Sequence, residues 1–389
     1  MTRPDQENMV SVQKCGGYHY PDVKQAIIKM GKDILGGWET FIPSGAKVLL
    51  KPNLLRPATA EQAVSPHPAV VRAVAEVCLD AGAGNIIIGD SPGYGTAQKV
   101  AAQCGILDVA RDLGIKVIDF TESVSVPAPE NFIHRNFSIA REVAEADIII
   151  NLPKFKTHAM MTLTLAVKNL FGVFAGRQKA RWHFQSGRNY NHFARLLMEL
   201  AYTVKPAVSI LDAITGMEGN GPGRGTPRAM GFLAASRDMV SLDRVAVEIS
   251  GVNPERIYTL QAAREMGFNT DLEGIRVAGD SIAAVKIHDL KLAAHMAVEG
   301  PRFLRPLSWV VRRYATTRPS IDKSACKACG ICMEACPADS ISQPAINEPV
   351  AISHETCISC FCCQELCPEG AITAKDALGV KLMQALGFG

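Results

Sequence analysis

Aromatic residues are scarce in this chain: Phe, Trp and Tyr make up 6% of its 389 residues. No run of 18 apolar residues occurs, and strings such as Val48–Leu50 and Ile148–Ile150 are strand-sized, which excludes a spanning helix. The opening MTRPDQENMV is polar and lacks the apolar stretch that directs secretion. These absences lead to the expectation of a soluble, cytoplasmic protein without a transmembrane segment.

Missing motifs exclude chemistry in the same way. No G-x-G-x-x-G follows a strand, so a nicotinamide Rossmann site is unsupported. The P-loop pattern G-x-x-x-x-G-K-[ST] and the zinc-protease pattern H-E-x-x-H are absent too. Gly89-Asp90-Ser91-Pro92-Gly93 matches G-x-S-x-G after a strand, but a nucleophile elbow needs an N–H from the residue after the serine. That residue is Pro92, which has none. Hydrophobic residues, at 48%, suffice for a core, so wholesale disorder is excluded as well.

Cysteine is what the chain has in excess. Of its 12 cysteines, nine fall between Cys326 and Cys367, and in a long chain without an export signal such crowding means metal rather than disulfides. Charge follows the same division. From Ile321 onward four lysines face eight carboxylates, whereas the rest holds 37 basic and 30 acidic residues. Two units of different character are implied, and neither resembles a nucleic-acid-binding surface.

Short β-rich runs mark the first 280 residues: Met9–Val12, Lys47–Leu50, Asn85–Gly89, Lys116–Asp119, Asp147–Asn151, Ala207–Leu211, Gly231–Ala235 and Ile275–Ala278. Helical patterns lie between several of them, at Pro21–Leu35, Pro68–Ala81, Thr96–Leu113, Tyr190–Val204 and Val240–Ile249. This alternation predicts an α/β fold, a mainly parallel sheet with helices on both faces. A connector is expected over 281–320, with helical character at Ile287–Val298 and five arginines (Arg302, Arg305, Arg312, Arg313, Arg318). It reads as a solvated linker or packed helix, or more sharply as a positive collar for the acidic tail, an acidic partner or anionic lipid.

The tail, 321–389, carries Cys326-x-x-Cys329-x-x-Cys332-x-x-x-Cys336-Pro337 and then Cys357-x-x-Cys360-x-x-Cys363-x-x-x-Cys367-Pro368. This is the spacing of bacterial two-cluster ferredoxins, in which the fourth cysteine of each run ligates the other cluster. One [4Fe–4S] cluster is therefore assigned to Cys326, Cys329, Cys332 and Cys367, the second to Cys357, Cys360, Cys363 and Cys336, in a small α+β ferredoxin-like domain. Zinc ribbons use paired knuckles rather than three-plus-one runs. Cys362 is off register and reads as a bystander.

In open α/β sheets chemistry gathers beyond the carboxyl ends of strands. Lys154, Lys156 and His158 crowd one such end, with Lys168 and Asn169 one helical length later. Cations there favour an anion, and His158 is placed to shuttle a proton near neutral pH. The competing reading is a set of solvated loop lysines. Lys51 and Asn53, and Asp90 and Ser91, lie at other strand ends. Asn53 reads as a ligand contact or a turn residue, and Asp90-Ser91 as a metal site or a helix cap. His67 reads as a helix entry, His183 and His192 as structural, and Gly219-x-Gly221-x-Gly223-x-Gly225 as a flexible loop able to close over a ligand.

Val48-Leu49-Leu50-Lys51-Pro52-Asn53, Gly89-Asp90-Ser91-Pro92, Leu152-Pro153-Lys154-Phe155-Lys156-Thr157-His158, Lys168-Asn169-Leu170-Phe171-Gly172 and the glycine-rich Gly216–Gly225 occur in that order. Together they resemble the domain-of-unknown-function 362 family over about residues 10–280, a family in which ferredoxin-like tails are common. The resemblance implies a fold and a cofactor, not a reaction. The function expected is electron transfer through two [4Fe–4S] clusters, coupled to a body (1–280) that binds an anionic substrate, cofactor or partner. The expected partners are a redox protein or a small anion. Two other readings stand beside it: a non-redox isomerase or lyase with structural or sensing clusters, and a non-catalytic carrier or assembly module.

Overall fold

The computed structural model describes residues 8–176, 178–293 and 317–375. Its strands, in chain order, are β1 (Met9–Lys14), β2 (Lys47–Pro52), β3 (Asn85–Asp90), β4 (Lys116–Asp119), β5 (Ser123–Pro127), β6 (Asn136–Ala140), β7 (Ile148–Leu152), β8 (Lys154–His158), β9 (Thr162–Thr164), β10 (Val208–Glu218), β11 (Thr226–Ser236) and β12 (Arg276–Gly279). Ten of them form one sheet in the order β12-β1-β11-β10-β7-β2-β3-β4, with β8 and β9 attached to β10, while β5 and β6 make a separate hairpin. From β10 through β7, β2 and β3 to β4 every pairing is parallel. The β10–β11 and β11–β1 pairings are antiparallel.

Side chains alternate between two hydrophobic cores. Val48 and Leu50 of β2 and Ile148 and Ile150 of β7 enter one, Leu49 and Ile149 the other. A parallel sheet buried on both faces demands this, because strand side chains point to opposite faces in turn. The helices at Tyr20–Leu35 and Pro68–Asp80 cover the first face; those at Tyr190–Val204 and Met239–Ser250 cover the second.

Three elements differ from the sequence expectation. The helix expected over Thr96–Leu113 is two, Ala97–Gln103 and Ile106–Asp112, separated at Gly105, whose φ of +82° is the left-handed conformation that ends a helix. The described part of the helix expected at Ile287–Val298, residues 287–293, is not helical. Its backbone bonds elsewhere, Ile287 N–H donating to Ile249 O (2.8 Å) and Gly219 N–H to Lys291 O (2.6 Å). Arg302, Arg305, Arg312 and Arg313 lie outside the described residues.

The third difference concerns Lys154–His158, expected as a strand-end loop. It is strand β8, buried at all five positions. β10 runs on to Glu218 and so offers a second stretch of edge, on which Asp212 faces Lys154 and Met217 faces Lys156. The reading of solvated loop lysines therefore falls.

The tail holds β13 (Arg318–Ile321) against β16 (Ile372–Lys375), and β14 (Ile341–Ser342) against β15 (Ala351–Ile352). Each cysteine run turns through left-handed residues at matching places, Ala328 and Gly330 in the first and Ser359 and Phe361 in the second, and then enters a short helix, Ile331–Glu334 or Cys362–Leu366. The repeated spacing is thus a repeated backbone shape.

Lys154 is part of this framework. Its Nζ lies 2.7 Å from Asp212 Oδ2 and 2.9 Å from Tyr18 Oη, and Tyr18 Oη in turn donates to Asp212 Oδ1 at 2.9 Å. His67 stacks on Tyr18 at 3.7 Å, and its Nδ1 caps the helix at Pro68, the role expected for it. Breaking a buried ion pair leaves an uncompensated charge. Lys154→Met should accordingly lower unfolding free energy by about 3–5 kcal/mol in denaturant titration, and adding Asp212→Asn should recover most of the loss. A double variant no more stable than the single one would contradict the assignment.

Candidate functional site

A cavity of about 260 Å³ lies between the body and the cysteine-rich tail. From the body it is lined by Asn53, Lys156, His158, Lys168, Lys179 and His183; from the tail by Glu334, Cys362, Glu365 and Leu366. Asp90, Ser91 and Asn169 also reach it. Six predicted site residues outside the cysteine runs, Asn53, Asp90, Ser91, Lys156, His158 and Lys168, therefore converge, whereas Lys154 belongs to the Tyr18–Asp212 network.

Lys51 is fully buried and supports the cavity from behind, its Nζ 2.8 Å from Asp90 Oδ1. The other Asp90 oxygen accepts from the Leu54 amide at 2.7 Å, so Asp90 fixes the loop after β2 rather than capping the next helix, which Thr96 caps. Gly172 permits this approach: a Cβ there would stand 2.1 Å from Asp90 Oδ1. Ser91 presents backbone, its N–H donating to Gly172 O and its carbonyl accepting from Lys179.

The cations of the cavity differ in their partners. Lys156 donates to Asn53 Oδ1 and, at 2.8 Å, to Val64 O. Burial, with Lys168 beside it, pushes its ammonium well below the usual lysine range. Lys179 donates to the carbonyls of Ser91 and Pro92, and burial brings it down to about 8. Lys168 is lowered by burial, with Glu365 acting in the opposite direction.

His158 is held in one tautomer. Its Nδ1 accepts from the amides of Met160 (3.0 Å) and Met161 (3.3 Å), so the proton of the neutral ring sits on Nε2, which faces Glu365 Oε1 at 3.0 Å without hydrogen-bond alignment. Burial, with Lys168 adding to it, lowers the ring to about 4. The expected proton shuttle near neutral pH is corrected accordingly: at pH 7 this ring is a neutral Nε2–H donor, because Nδ1 is already occupied. Burial works against the Glu365 carboxylate, but the His158 ring facing it and the Lys168 ammonium hold it below the usual carboxylate range. Asn169 Oδ1 and His183 Nδ1, both buried, have no hydrogen-bond partner among the described residues, and such atoms ordinarily find one.

Lys179 and Glu365 were not singled out in the sequence reading, and His183, read there as structural, lines the cavity. Lys179 and His183 stand four apart on the helix Gln178–Ser186, and Cys362 and Glu365 three apart on the helix Cys362–Leu366, so each pair shares a helix face. That spacing was the available signal. Nothing in the sequence said which strand end the two faces would meet. Cys362, expected as a bystander to the clusters, stands in the cavity wall.

The tail is held to the body by backbone capture. Arg188 Nη2 donates to Cys357 O (2.6 Å), Tyr190 Oη to Ser359 O (3.2 Å), Arg224 Nε to Cys367 O (3.3 Å) and Gln364 Nε2 to Asn220 O (3.3 Å). At Gly223 an added Cβ would stand 2.0 Å from the Glu365 carbonyl oxygen. The glycine-rich loop expected to close over a ligand is thus where the tail's backbone lies against the body.

Within the tail, Cys326, Cys329, Cys332 and Cys367 line one small cavity, and Cys336, Cys357, Cys360 and Cys363 another. These are the two crossed sets derived from spacing. Each set surrounds a small volume, as the corners of a cubane require.

The chain belongs to the domain-of-unknown-function 362 family, which it matches over residues 48–248; residues 318–368 match a 4Fe-4S dicluster domain. A relative from Synechocystis sp., named Thylakoid-associated protein sll1697, is 42% identical over 235 residues, 60% of this chain and 72% of the relative. Among solved structures, the lactate racemase apoprotein from Thermoanaerobacterium thermosaccharolyticum aligns at 13% identity and a TM-score of 0.38, over 63% of this chain and 59% of that one. A protein from Thermotoga maritima aligns at 12% and 0.35, over 54% and 53%. The chain therefore spans little more than half of either structure. No helix among the described residues is long and apolar enough to cross a membrane.

The buried histidines make stability depend on pH. Burial holds His158 at about 4 and His183 at about 3, against an ordinary 6.5, so the unfolded chain binds the extra protons and stability falls as pH drops from 6.5 toward 4. Anaerobic thermal unfolding should show a lower midpoint at pH about 5 than at pH about 7, with a smaller difference in His158→Gln. An equal difference in both proteins would contradict the account.

Proposed function

We propose that this protein transfers electrons between a redox partner protein and a small anion held in the cavity between body and tail, with two [4Fe–4S] clusters in the crossed cysteine sets. The observation that carries the reading is the composition of that cavity's walls. One wall gathers Lys156, Lys168, Lys179 and His158 from the motifs that carry the family resemblance and the helix after them. The opposite wall is made by Glu334 and Ala335, next to Cys336, and by Cys362, Glu365 and Leu366, between or beside Cys360, Cys363 and Cys367. When bound, such clusters supply one-electron transfer.

The chain's own residues supply the rest. Lys168 and Lys179 attract and orient the anion, His158 holds a proton at Nε2, and the tail's helix Cys362–Leu366 forms the facing wall of the cavity. Oxidoreductase activity is the enzymatic form of this proposal. We place the protein in the cytoplasm; peripheral contact with a membrane is the alternative that the thylakoid association of its relative suggests.

Inorganic phosphate is the probe. Added to anaerobic, cluster-loaded protein it should shift the reduction potential or paramagnetic resonance signal of the cluster held by Cys336, Cys357, Cys360 and Cys363. Lys168→Gln should weaken that response by about 1.5–3 kcal/mol in apparent affinity, the range for a lost charge-assisted hydrogen bond. Signals indifferent to phosphate, glyoxylate and other small anions would overturn the proposal.

A further inference from the structure

Four lysines surround the cavity or support it, and they are not equivalent. Lys51 has Asp90 within 2.8 Å, and outside the cavity Lys154 has Asp212 within 2.7 Å. Lys156 is as deeply buried as these two, at 1% exposure, yet both of its hydrogen-bond partners are neutral carbonyl oxygens, Asn53 Oδ1 and Val64 O. The charges that act on it are Lys168, Lys154 and Arg56, which disfavour its ammonium form, and Glu365, which favours it. A buried lysine beside other cations and without a carboxylate in contact is a nucleophile in its neutral form. Its two N–H bonds serve Asn53 and Val64, and the remaining tetrahedral position is free for a ligand.

We propose that Lys156 forms a Schiff base with the carbonyl group of a small anionic substrate, an aldehyde or 2-oxo acid whose carboxylate or phosphate is held by Lys168 and Lys179. This rests on the reading of the cavity as an anion site and adds the substrate class to it. The cavity, of about 260 Å³, has room for a compact organic acid. In the step, Nζ attacks the carbonyl carbon, a C–N bond forms, and the carbonyl oxygen leaves as water with the two amine protons. No oxidant or reductant is consumed. His158 Nε2–H is placed to donate to the departing oxygen and to recover a proton from the nitrogen, so it assists without net change.

The arrangement also explains why Asn53 follows β2. Its Oδ1 together with the Val64 carbonyl orients the amine, and neither group carries a charge that would stabilise the ammonium.

The test uses anaerobic, cluster-loaded protein with glyoxylate, a small anionic aldehyde, in the presence of cyanoborohydride, followed by peptide mass spectrometry. At pH 7 Lys156 should be carboxymethylated at least about tenfold faster than the exposed Lys29 and Lys116, because burial without a carboxylate in contact disfavours its ammonium form. Lys168→Gln should slow that labelling, and inorganic phosphate should compete with it. Labelling of Lys156 no faster than of Lys29 would overturn the imine. If phosphate still shifts the cluster signal in that case, the anion site stands without covalent chemistry; if it does not, both readings fall. Label confined to Lys179 would also overturn the assignment to Lys156.

Discussion

Strand β8 brings two lysines and a histidine into the interior within five residues, and a protein core does not accept such groups without partners. Each is satisfied differently. Lys154 takes a carboxylate, Asp212, from the strand beside it; Lys156 takes two carbonyl oxygens; His158 takes two amides on one ring nitrogen and faces a carboxylate of the tail with the other. The last arrangement has the widest consequence. Glu365 comes from the helix Cys362–Leu366, so the polar interior of the body is completed by the cysteine-rich module. The two units meet in one site, and the tail is not an independent appendage.

The sheet was legible in the sequence because its strands are runs of β-branched residues buried on both faces. Ile86–Ile88 and Ile148–Ile150 are strands in the structure, and the expected strands at Ala207–Leu211 and Gly231–Ala235 only grew longer. β8 was not legible. Lys154-Phe155-Lys156-Thr157-His158 lacks the apolar period of a buried strand, and only the extension of β10 gives it an edge to pair with. Gly105 splits a helix whose hydrophobic period runs through it, since periodicity records which face is buried and not where the backbone turns.

The cysteine sets were the most legible part of the site, because ligand spacing is local and the crossing follows from it. The cavity was half legible. Lys156, His158, Lys168, Asn53 and Asp90 were chosen for their position at strand ends, and they converge. Lys179, His183, Cys362 and Glu365 come from helices whose docking depends on tertiary contacts, notably the close approach of Gly223 to the Glu365 backbone. Lys154 resembles Lys156 in sequence and differs from it in one respect, a carboxylate partner.

The central claim is that the anion cavity abuts the cysteine set of Cys336, Cys357, Cys360 and Cys363. It is tested by removing one set at a time from anaerobic protein and recording the paramagnetic resonance response to inorganic phosphate. Cys326→Ser, which impairs the other set, should leave a phosphate-sensitive signal. Cys336→Ser should abolish that response while the signal of the set holding Cys326 persists. A phosphate response that survives Cys336→Ser and disappears with Cys326→Ser would contradict the account.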